Sequence, residues 1–250
     1  MTLKRLAAIA LLSGILTAYG TPGEASLITW DFRSGSSTPY TVLNSGSYGN
    51  IYTFTVDSIT VTVTAWGLTG SSGTTFQTAQ VARTASGLGG CNRGEGQNCT
   101  SNPRLDNVGQ LEFLLFKFSS PVNGIQIVLD PAGTFDRDVS YWVGNMTAAS
   151  LAGGLSQLGG LGFGSRQDVP SAGPPANSPL TLSLTSGDVT SVLFGAQAPS
   201  LTTGTELDRF FVKSLTMDPP VATPEPGTLL LLGSGLVGVA AFGRRLRKRG

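Results

Sequence analysis

The stretch Ile59-Thr60-Val61-Thr62-Val63-Thr64-Ala65-Trp66 alternates apolar and hydroxyl side chains without a break. A period of two sorts the two sets onto opposite faces of an extended strand, whereas a helix would mix them. The Ile/Val face is predicted to be buried and the Thr face solvated. Ile51–Val56 repeats the pattern, and Asp57-Ser58 between the two runs reads as a tight turn or a bulge. Comparable runs are Leu27–Phe32, Phe76–Val81, Ile125–Leu129, Val139–Val143, Leu180–Leu184, Val189–Phe194 and Phe210–Leu215. Leu111–Phe118 is apolar on both faces and is placed centrally, with Ser119–Gly124 as the turn that follows it. This makes about ten short strands separated by Gly, Ser, Asn and Pro clusters. Gly153–Gly164 reads as irregular and Pro170–Pro179 as a loop. The expected fold class is all-β, a jelly-roll-like β-sandwich over residues 26–220.

The two ends follow different rules. Met1–Ala25 carries Lys4 and Arg5, then an apolar run Leu6–Ala18, then small residues. That is the layout of a secretory signal peptide, with cleavage after Ala25 or after Gly20. Residues 221–250 contain Pro224-Glu225-Pro226, an uncharged apolar run over 228–243, and a basic stop of Arg244, Arg245, Arg247, Lys248 and Arg249. As a helix the run would measure about 24 Å, somewhat short of a ~30 Å hydrocarbon core. It is expected to cross as a transmembrane helix with local thinning, its basic end held in the cytoplasm. The two prolines keep the preceding peptide extended and open to a processing enzyme.

The order Pro-Glu-Pro, apolar helix, Arg cluster resembles the PEP-CTERM sorting signal of Gram-negative bacteria. The resemblance implies an exosortase as partner, a transient membrane anchor, cleavage near the motif, and delivery to the cell surface or an extracellular matrix. Pro224, Glu225 and Pro226 would then be recognition elements. A second, looser resemblance is to exosortase-dependent surface proteins that carry such tails. It rests on Gly87-Leu88-Gly89-Gly90-Cys91-Asn92, on Asp106-Asn107-Val108-Gly109, and on Ser119-Ser120-Pro121-Val122. It implies no catalytic residues.

Seven of the sixteen basic residues lie in the two terminal signals. Between Ser26 and Pro220 there are nine basic and thirteen acidic residues, a net charge of −4. A mildly acidic exported domain has no electrostatic case for nucleic acid. Cys91 and Cys99 flank a Gly-rich loop, and export to an oxidising compartment favours a disulfide between them. The chain has no His, which removes imidazole catalysis and leaves zinc at most two soft ligands. We expect no enzyme.

Asp106, Asp130, Asp136 and Asp138, with Glu112, are candidate oxygen ligands for Ca²⁺. The plainer reading is that these acids cap turns. A structural or adhesive surface protein is the first functional expectation. A carbohydrate-binding module for exopolysaccharide, Ca²⁺-assisted, is the alternative, with Trp66, Tyr141, Trp142 and Phe163 as candidate sugar-stacking rings. A glycan hydrolase would need two carboxylates about 5–10 Å apart, one with a raised pKa.

Overall fold

The computed structural model describes residues 26–69, 75–96, 99, 103–133, 135–170, 178–184, 187–197, 207–219, 232–239 and 244. The chain divides into two units, Met1–Pro219 and Pro220–Gly250. Of the second, the described part is an α-helix over 232–239, together with helical Arg244. Eight residues rise only about 12 Å. Among the described residues no helix is long and apolar enough to cross a membrane. The rest of the expected 228–243 span, the tripeptide at 224–226, the other basic-stop residues and the signal at 1–25 lie outside the described residues.

The first unit is built from strands β1 (Ile28–Asp31), β2 (Tyr40–Leu43), β3 (Ile51–Val56), β4 (Ile59–Thr69), β5 (Thr75–Thr78), β6 (Gln80–Arg83) and β7 (Leu88–Cys91). They are followed by β8 (Leu105–Asp106), β9 (Glu112–Pro131), β10 (Val139–Gly144), β11 (Gln167–Val169), β12 (Leu180–Ser183), β13 (Val189–Ala196) and β14 (Arg209–Asp218). Every strand pair is antiparallel. Two short 3₁₀ turns, Arg93–Glu95 and Leu155–Leu161, interrupt the pattern. The second falls inside the segment expected to be irregular.

The hydrogen bonds join all fourteen strands into one large sheet, where two separate sheets were expected. The cause is β9. Its first half pairs with β4 and β13, and its second half with β14 and β12. The expected turn at Ser119–Gly124 is instead a corner inside this one strand. Gly124 sits there at φ +59 with the Asp218 carboxylate against it, a backbone setting that an L side chain adopts only at a cost. One core cluster takes Leu114 and Phe116 from the first half of β9, Ile127 and Leu129 from the second, and Trp30, Phe54 and Phe210 from other strands.

The β3–β4 hairpin matches its sequence closely. Val56 pairs with Ile59, so Asp57-Ser58 is a two-residue loop. Both loop residues have positive φ, 48° and 66°, as the tightest hairpin turns require. Ile59, Val61, Val63 and Ala65 are buried, and the threonines between them are half exposed.

The opposite face of the same strands is not left bare along its whole length. A second cluster covers part of it, where Met146, Leu151, Leu158 and Phe163 pack on Trp66, Phe113, Trp142 and Leu193. Trp66, Tyr141, Trp142 and Phe163 are each at most 6% exposed, so the expected sugar-stacking platform does not form. These rings are core residues, with Trp142 edge-on to Phe113 at 6.0 Å.

Candidate functional site

Three polar arrangements stand out in the first unit, and each grows from local backbone requirements.

The first lies at the Cys loop. Cys91 ends β7 and is disulfide-bonded to Cys99, with a Cα–Cα separation of 5.6 Å. β7 is Leu-Gly-Gly-Cys and fully buried, and at Gly89 an added Cβ would collide with the Pro103 carbonyl. After Cys91 the chain turns through Asn92, whose side chain accepts from the Gly94 N–H at 2.8 Å and caps the Arg93–Glu95 turn. Glu112, at the start of β9, closes the knot from below. Its Oε1 accepts the Asn92 N–H at 2.6 Å and Asn92 Nδ2–H at 3.1 Å, and its Oε2 accepts the Asp106 N–H at 3.3 Å. Glu112 is 0% exposed. Burial pushes its carboxyl pKa well up, and the neighbouring charges of Glu95 and Asp106 push in the same direction.

The second is an acidic cluster. Asp136, Asp138 and Asp208 bring carboxylate oxygens within 4.8 Å of one another. Asp136 and Asp208 are held together by an isolated parallel bridge. Asp208 Oδ1 accepts the Asp138 N–H at 3.0 Å, and its Oδ2 accepts Asn107 Nδ2–H at 2.7 Å. Asn107 Oδ1 in turn accepts the Asp208 N–H at 3.1 Å. Of the four aspartates read as Ca²⁺ ligands, Asp136 and Asp138 are brought together, while Asp106 and Asp130 do not join them. Asp106 is buried, accepts the Val108 N–H at 3.0 Å and faces Arg209 Nε at 3.7 Å. Asp130 is half-buried on β9, opposite Phe211. Asp208 was missed because about 70 residues separate it from its partners and no spacing motif marks it. Three carboxylates so close suit a hard cation in charge and donor type. Both Asp208 oxygens, however, already hold the backbone and Asn107, as turn-capping acids do.

The third is a groove of about 380 Å³ on the outer face of β4 and β9, beside the second core cluster. Thr60, Thr62, Thr64, Lys117 and Ser119 line it together with Ile51, Trp66, Leu115, Phe118 and Ala149, so most of its wall is apolar. The Lys117 ammonium donates to the Ala148 carbonyl at 2.9 Å, which fixes it against the covering segment.

No curated protein and no solved structure matches the chain. The family comparison matches elsewhere, in the second unit, at residues 222–248. That stretch holds the tripeptide, the apolar run and nearly all of the basic stop. A segment of this kind implies an exosortase as processing partner and export to the cell envelope or surface. The C-terminal segment of this chain is a PEP-CTERM protein-sorting motif.

Proposed function

We propose that the chain is an exported protein that an exosortase sorts and processes at Pro224-Glu225-Pro226, and that its β domain then serves a structural or adhesive role at the cell surface or in an extracellular matrix. The matched motif at 222–248 carries the sorting part of this reading. Met1–Ala25 supplies the export signal in it, and 228–243 with the basic stop the transient membrane anchor. The bent sheet, closed over one apolar cluster, is read as a jelly-roll-like sandwich.

We read the domain as non-catalytic. The chain has no His. Glu112, whose pKa burial raises, is fully buried and closed off from any substrate.

The sorting reading is tested in cells by Glu225→Ala and by deletion of residues 244–249. Both variants should accumulate unprocessed in the inner-membrane fraction. Normal processing and release of both would refute it.

A second reading, a domain that binds exopolysaccharide, is favoured by the groove on β4 and β9, where the hydroxyls of Thr60, Thr62, Thr64 and Ser119 and the Lys117 ammonium stand on an otherwise apolar wall. Binding assays with Ca²⁺ and with EDTA test it. Dependence on the cation would assign a Ca²⁺ role to the Asp136–Asp138–Asp208 cluster.

A further inference from the structure

The outer face of the sheet carries an ordered polar lattice. Cross-strand register places Thr41, Thr53, Thr62, Lys117 and Ser191 in one row, and Thr55 and Thr60 in the next. Residues directly opposite on neighbouring strands share a face. Rows therefore repeat about every 6.7 Å along the strands, with neighbours about 4.8 Å apart across them.

The hydrogen-bond directions make the floor rich in donors. Thr64 Oγ1 accepts Trp66 Nε1–H at 2.9 Å, and Ser119 Oγ accepts the Thr60 N–H at 3.0 Å. Each hydroxyl thus keeps its own hydrogen for an outside acceptor. Thr62 lies between them on the same floor. Lys117 spends one of its three N–H donors on Ala148, and two remain. At the inner end of the same row, Ser191 is 0% exposed and its Oγ has no hydrogen-bond partner among the described residues. Among the described residues no carboxylate lines the groove, although the domain as a whole is acidic. A cation beside hydroxyl donors, in an otherwise mildly acidic domain, favours a ligand with many oxygen acceptors and a negative charge.

We propose that this groove binds an acidic polysaccharide, with the carboxylate of a uronate unit on Lys117 and neighbouring ring hydroxyls on Thr62, Thr64 and Ser119. The assignment rests on the polysaccharide-binding reading and adds to it the site and the charge of the sugar.

The full chain in detergent is titrated with alginate, with carboxyl-reduced alginate and with dextran. Alginate should bind about tenfold more tightly than its reduced form, as expected for one hydrogen-bonded charge. Lys117→Gln should abolish that difference by weakening alginate alone. Thr62→Val removes a hydroxyl without changing side-chain shape and leaves the Ala148 contact in place. It should weaken both forms of alginate several-fold at an unchanged melting temperature, so it decides the matter even where Lys117→Gln fails to fold. Equal binding of all three glycans, or full alginate affinity in either folded variant, overturns the assignment while leaving polysaccharide binding standing. Binding to none of them overturns both, and the fate of Glu225→Ala in cells still decides the sorting reading separately.

Discussion

Glu112 Oε1 takes the main-chain N–H of Asn92 at 2.6 Å, the shortest link between the central strand β9 and the disulfide loop. The contact joins the start of the longest strand to a Gly-rich loop with few apolar side chains. Because Glu112 is fully buried, its protonation state is part of the fold.

The pH dependence of stability follows from this. Glu112 holds its proton more tightly in the folded domain than in the unfolded chain, where the ordinary value of 4.5 applies. As pH rises past that value, the unfolded chain loses a proton that the folded domain keeps, so stability falls. The fall ends once pH passes the raised folded-state pKa and Glu112 ionises in place. Glu112→Gln mimics the protonated acid and should remove this slope. The stability difference between wild type and variant should therefore shift in the variant's favour as pH rises past the ordinary carboxyl range. Urea unfolding across the range checks this, and an unchanged slope in the variant would refute it. Asp31 acts in the opposite sense in a separate window. Its hydrogen bond to Arg33 lowers its pKa below 3.8, so its contribution is present above that pH and is lost only in stronger acid. Solvent screening of this exposed pair keeps that contribution small.

The disulfide should contribute on the order of 2–3 kcal/mol through the loop it closes. For a domain of this size that is a drop in melting temperature of roughly 5–10 °C on replacing both cysteines by Ser. Calorimetry of the double variant measures it. Cys91 is 1% exposed and Cys99 is half-buried, so reductant should attack at the Cys99 sulfur.

Two glycines separate two kinds of backbone demand. At Gly124 an added Cβ would meet the Asp218 carboxylate, the movable end of a side chain, so the positive φ sets the penalty. Gly124→Ala should cost about 1–2 kcal/mol. At Gly89 the obstacle is the Pro103 main chain, which cannot step aside. Gly89→Ala should cost more, at or above the upper end of the ~1–3 kcal/mol typical of overpacking. Chemical denaturation of the two variants should return that order.

These positions also show which parts of the molecule were legible in the sequence. The Thr/Val alternation of β4 fixed its buried and solvated faces, because period-two patterning needs only local information. β7 was missed, since Leu-Gly-Gly-Cys offers almost no side-chain pattern and is held by main-chain contact with Pro103. The corner of β9 was read as a turn because Pro121 and Gly124 are what either feature requires. Asp136 and Asp138 were found together since they are neighbours in sequence. Asp208 and the burial of Glu112 depend on which strands pair, which no local spacing records. The sorting tail was readable because its parts lie in one contiguous stretch.

Asp208 is expected to act first as a structural tie. Its two oxygens hold Asp138 N–H and Asn107 Nδ2–H, joining the approach to β10, the loop after β8 and the start of β14. Asp208→Ala leaves both donors without their charged acceptor. Charge-assisted hydrogen bonds of this kind are worth about 1.5–3 kcal/mol each when one partner is removed. Part of that loss is offset by relief of repulsion among three carboxylates within 4.8 Å. A net cost of about 2 kcal/mol is therefore expected. Asp208→Asn should cost less, since it keeps one acceptor and sheds the charge. Unfolding curves in EDTA should give the same two values as curves in millimolar Ca²⁺, because the tie is made by protein donors. If instead Ca²⁺ stabilises the wild type and neither variant, the cluster is a cation site and the tie is secondary.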